Sequence, residues 1–203
     1  MPRRAQSNLR CANNAGGILP RLSPEESTAV LGHLVEKHPE LRAEAEEFAA
    51  ALISSQSIDE ISSAVFEALT AVDLEALNTR AGAHSWGYMG PREAALALLQ
   101  ESIEPWIEDM KRKANLGFVS AAETVCVGVV EGLYQARNVQ NDGALGWEPD
   151  FPVEGAGQVV EELLHACNAA VKRAMGERLL GMLTNRTPEW ADMLRKVVDG
   201  CHN

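Results

Sequence analysis

Glu162-Leu163-Leu164-His165 comes closest in this chain to a metal-ligand motif. Residues three apart share a helix face, so a Glu-x-x-His pair sets a carboxylate beside an imidazole. Helical di-iron carboxylate proteins use two such pairs and two further glutamates, and the chain has no second Glu-x-x-His. Cys167 follows two residues later, and Cys201-His202 near the C-terminus would add the nitrogen and sulfur that zinc accepts. The spacing matches no zinc finger. A helix with a half-buried histidine and a core cysteine is the plainer account, and no cofactor is expected.

A second candidate is "AGAHSWGYMGP", residues 81–91, which packs three glycines with His84, Trp86 and Tyr88. Gly82 is placed to end one helix, Gly87 and Gly90 permit positive torsions, and Pro91 opens the next helix. Trp86 and Tyr88 alternate along an extended piece, so both rings should lie against one side of it. Two readings follow: the rings close the end of a bundle, or they form an aromatic platform for a ligand or partner peptide. His84 adds a group that titrates near neutral pH.

A third candidate is the loop around Trp147, where Phe151 joins Asp142, Glu148, Asp150 and Glu154. Acids in a glycine-containing loop suit calcium, but the EF-hand order is missing. Aromatic and acidic side chains together also suit a basic partner, and a solvated linker is the bland alternative. No phosphate-cradling glycine loop, Gly-x-Ser-x-Gly elbow, His-Glu-x-x-His helix or kinase signature occurs. Nothing in the sequence supports an enzymatic activity.

The elements that would position these residues are helical. Ser23, Pro24 and Glu26 make a capping box, and Val30, Leu31, Leu34 and Val35 then recur at helical spacing. After Pro39, Leu41, Ala45, Phe48 and Leu52 form a stripe opposite Glu44, Glu46 and Glu47. Ser57 with Glu60 opens a third helix, Asp73 caps a short fourth, and Pro91 starts a long fifth that Pro105 should kink or divide. Lys111, Arg112 and Lys113 suit that helix's negative C-terminal end, and Gly117 stops it. Ser120 and Glu123 suggest a box for the sixth helix, whose Val125, Gly128, Val129, Gly132 and Leu133 mark a face of close helix approach.

A long aperiodic stretch, 139–157, precedes a seventh helix from about Gln158, with its stripe running through Cys167 to Met175. Thr187, Pro188 and Glu189 start the last helix. No segment alternates in the manner of a strand. The expected fold is therefore all-α, with about eight helices in antiparallel pairs, as an irregular bundle or a short degenerate helical-repeat stack. Residues 1–22 read as a flexible basic arm and 23–203 as a single all-helical domain.

Charge sharpens the functional reading. Residues 1–22 contain Arg3, Arg4, Arg10 and Arg21 and no acid, whereas 23–80 hold three basic and twelve acidic residues, within a net charge of −11. Such a surface repels phosphate backbones, which argues against nucleic-acid binding. No apolar run approaches the ~18 residues of a membrane span, and the arm lacks the apolar core of a secretory signal. Four dispersed cysteines without a Cys-x-x-Cys suit free thiols in a reducing cytoplasm.

The central stretch from Gly87 to Gln135, with Glu104-Pro105 and Gly132-Leu133-Tyr134, resembles segments of uncharacterised prokaryotic all-helical proteins. The resemblance covers about a quarter of the chain, implies a helical fold and brings no function or catalytic position with it. The resulting expectation is a cytoplasmic protein–protein interaction module or scaffold, with a protein partner or self-association. The sites offered are His84, Trp86, Tyr88 and Trp147. The alternative is a metal- or small-ligand-binding bundle using Glu162, His165 and Cys167.

Overall fold

The Ser23 hydroxyl accepts from the Glu26 amide at 3.2 Å, and the Glu26 carboxylate accepts from the Ser23 amide at 2.8 Å. That reciprocal box starts α1 (Pro24–Lys37). In this computed structural model, which describes residues 17–85, 87–139 and 142–201, a 3-10 turn at Pro39–Leu41 follows and leads into α2 (Arg42–Ile53). Neither α1 nor α2 buries a residue. The chain divides into two compact units, one ending at Ala49 and the other beginning at Ala50.

In the second unit the Ser57–Glu60 box opens α3 (Ile58–Thr70), and Asp73 caps α4 (Leu74–Arg80) by accepting from the Ala76 amide at 2.9 Å. Residues 82–89 depart from the expected corner. They form an antiparallel hairpin of β1 (Gly82–His84) and β2 (Gly87–Met89). Its period is too brief to show as alternation in the sequence, and Gly82 and Gly87 supply positive φ of 121° and 143°.

α5 (Pro91–Asn115) runs undivided through Pro105. It ends in a Schellman turn, with Gly117 at φ 86°, its amide on the Ala114 carbonyl and the Phe118 amide on that of Lys113. Lys113 does more than complement the helix end. It is buried, and its ammonium pairs with Asp109 at 2.8 Å and with Gln56.

α6 (Val119–Ala136) is the central helix, packed against α3 and α5 as well as two helices that follow it. Twelve of its 18 residues are buried, as a helix with neighbours on several sides requires. No side chain caps its start; Glu123 is buried and engaged elsewhere, so the expected Ser120–Glu123 box does not form. The expected close approach does occur. A Cβ on Gly128 would sit 2.7 Å from the Ile61 Cβ, and one on Gly132 would sit 2.7 Å from the Ser62 carbonyl oxygen. The Val125–Leu133 face is therefore covered by α3 of the same chain.

The stretch 139–157 is more ordered than its composition suggests. It contains α7 (Ala144–Trp147), and the next helix, α8 (Phe151–Ala166), begins seven residues before the expected start. Asn168 then caps a separate α9 (Ala169–Arg186), so the single seventh helix of the sequence reading is two. After a 3-10 turn at Pro188–Trp190, α10 (Ala191–Gly200) packs on α8 and α9. The described residues thus hold ten α-helices and one small hairpin: an all-α, irregular bundle. Among them, no helix is long and apolar enough to cross a membrane.

Candidate functional site

The hairpin separates two of the residues that the sequence grouped. Ala83 pairs with Tyr88, and His84 with Gly87. Directly paired residues share a face and neighbours alternate, so His84 and Tyr88 lie on opposite faces. Tyr88 is 72% exposed. His84 is half-buried and donates through Nε2 to the Arg80 carbonyl at 2.8 Å. Trp86 lies outside the described residues.

His84 borders an open groove of about 680 Å³, lined also by Asp73, Glu75, Thr79, Arg80 and Leu98. The Arg80 guanidinium is held by the Glu101 carboxylate of α5. The Thr79 hydroxyl is turned to the Glu75 carbonyl at 2.9 Å, and one Asp73 oxygen serves the cap of α4. Much of the groove's polar lining therefore serves local structure.

Trp147 ends α7 and is 47% exposed. The adjoining Glu148 is buried and accepts from Arg92 at the start of α5, pinning the α7 segment to that helix. Glu148 holds the Arg92 guanidinium above its ordinary pKa, by hydrogen bond first and charge second. The Ala144 amide donates to the Val72 carbonyl at 3.1 Å, and a Cβ on Gly143 would lie 2.2 Å from that oxygen. The acids around Trp147 therefore differ in role: Glu148 is an anchor, whereas Asp150 and Glu154 only add charge near Arg92.

The Glu162–His165–Cys167 group is not assembled as a ligand set. Glu162 pairs with Lys111 at 2.9 Å, His165 is exposed, and the Cys167 thiol lies 3.7 Å from the Met175 sulfur. Cys167 ends α8 rather than continuing its stripe, and burial pushes its thiol pKa up. His202 lies outside the described residues. Among the described residues, no three His, Cys, Asp or Glu side chains are grouped to hold a metal ion.

Exposed apolar side chains also lie along α1 and α2. Val30, Leu31 and Leu34 on α1, and Leu41, Phe48 and Leu52 at and along α2, are all exposed, Phe48 by 65% and Leu52 by 74%. The periodicity of these residues was visible in the sequence; their exposure was not, because an amphipathic stripe ordinarily faces a core. Glu44, four residues before Phe48, borders the α2 stripe, whereas Glu46 and Glu47 lie toward the opposite side by helical spacing.

Compared with known proteins, the chain matches no family model, no curated protein and no solved structure.

Proposed function

We propose that the protein is a protein–protein interaction module whose docking element is the α1–α2 segment. The observation that supports this reading is the row of exposed apolar side chains on two helices that bury nothing. Isolated helices shorter than about 12–15 residues are marginal in water, and α1 and α2 have 14 and 12 residues. An apolar face on such helices gains most from a partner that covers it. The acidic surface directs the interaction away from nucleic acid.

The test compares the full chain with a Leu31→Ser, Leu34→Ser, Phe48→Ser variant in affinity capture from the native host's lysate at moderate salt. Circular dichroism establishes that the variant is folded. A protein recovered near stoichiometry with the parent chain and lost with the variant supports the reading. Equal recovery with both removes α1–α2 as the docking element.

A further inference from the structure

We draw no further inference here: the strongest candidate, the open groove between α4, β1 and α5, carries nothing that selects a ligand, because its Arg80 guanidinium is held by Glu101, Asp73 and Thr79 serve α4 itself, and the Arg80 Nε, a donor with no acceptor among the described residues, is buried rather than open to the groove.

Discussion

Glu123 of α6 accepts from Arg178 of α9 at 2.6 Å, and eight residues along both helices Glu131 meets Arg186 in the same way. The two pairs run in the same order, so α6 and α9 lie parallel although the intervening α8 reverses the chain. Arg186 also reaches Asp59 on α3 at 2.8 Å, tying three helices at one point. These contacts fix a helix order that no local pattern encodes.

Glu123 is buried while Arg178 is half exposed, which makes the pair asymmetric. Arg178→Ala leaves a carboxylate without its partner inside the protein, at a cost of about 2–3 kcal/mol. Glu123→Gln added to Arg178→Ala should recover part of that loss, because the remaining amide is less costly to bury. Urea midpoints of the two variants measure this. Equal destabilisation would show that unpaired charge is not what Arg178 relieves.

Gly128 and Gly132 set the distance between α3 and α6. Alanine at either position drives a Cβ to 2.7 Å from atoms of Ile61 or from Ser62 and Val65, so each substitution should cost about 1–3 kcal/mol. Gly157 in α8 is the internal control. Its added Cβ would meet Val197 at 3.6 Å and Met193 at 3.9 Å, ordinary contacts, so Gly157→Ala should stabilise by about 0.5–1 kcal/mol. Opposite signs in chemical denaturation would support this geometry, and a neutral Gly132→Ala would contradict it.

How much of this was legible follows from the range of each signal. Ser23, Ser57 and Asp73 act within one helical turn, and each caps the helix that its position announces. Gly155 and Gly157 misled because glycine reads locally as a breaker; in the fold both sit inside α8, beside Leu133 and Val197 respectively. Glu123 looked like a capping residue and proved to be half of an ion pair spanning 55 positions, a relation that spacing cannot reveal. His84 and Tyr88 looked like one site until pairing placed them on opposite faces. The Phe48 stripe showed its period but not the exposure of Phe48 itself, because periodicity marks a face without saying what lies against it.

The buried Lys113 makes the fold sensitive to acid through Asp109. Burial by itself would raise the Asp109 pKa, but hydrogen bonds from Lys113 and Arg112 take it below the ordinary carboxylate value. A depressed folded-state pKa contributes stability that is present above the unfolded value of about 4. That contribution is lost as pH falls through the lower folded value. Asp109→Asn should therefore cost stability at neutral pH, about 3 kcal/mol if the Lys113 charge is left buried. Its deficit against the parent should shrink below about pH 4. Urea midpoints from pH 6 to 3 test the sign, and a constant deficit would remove Asp109 from the acid response.

Cys126 lies fully buried in α6, and burial, with the neighbouring Glu123 charge, pushes its thiol pKa far up. A thiol that is both inaccessible and protonated is inert to alkylation. Iodoacetamide at pH 8 should leave Cys126 unmodified in the folded chain and modify it in strong denaturant, as read by peptide mass spectrometry. Modification in the folded chain at the rate of the partly exposed Cys201 would mean that α6 opens readily.

The α1–α2 stripe makes a stability prediction that separates docking from ordinary core packing. Phe48 and Leu52 are exposed, so Phe48→Ser with Leu52→Ser removes little buried area and should shift stability by no more than about 0.5 kcal/mol per site. A large apolar side chain truncated within a core instead costs about 2–5 kcal/mol. Chemical denaturation of the parent and the double variant distinguishes these ranges. A loss of core size would place the stripe under cover in the folded chain and withdraw α2 as a docking face. An unchanged midpoint, together with loss of partner binding, would assign the apolar row to recognition rather than to folding.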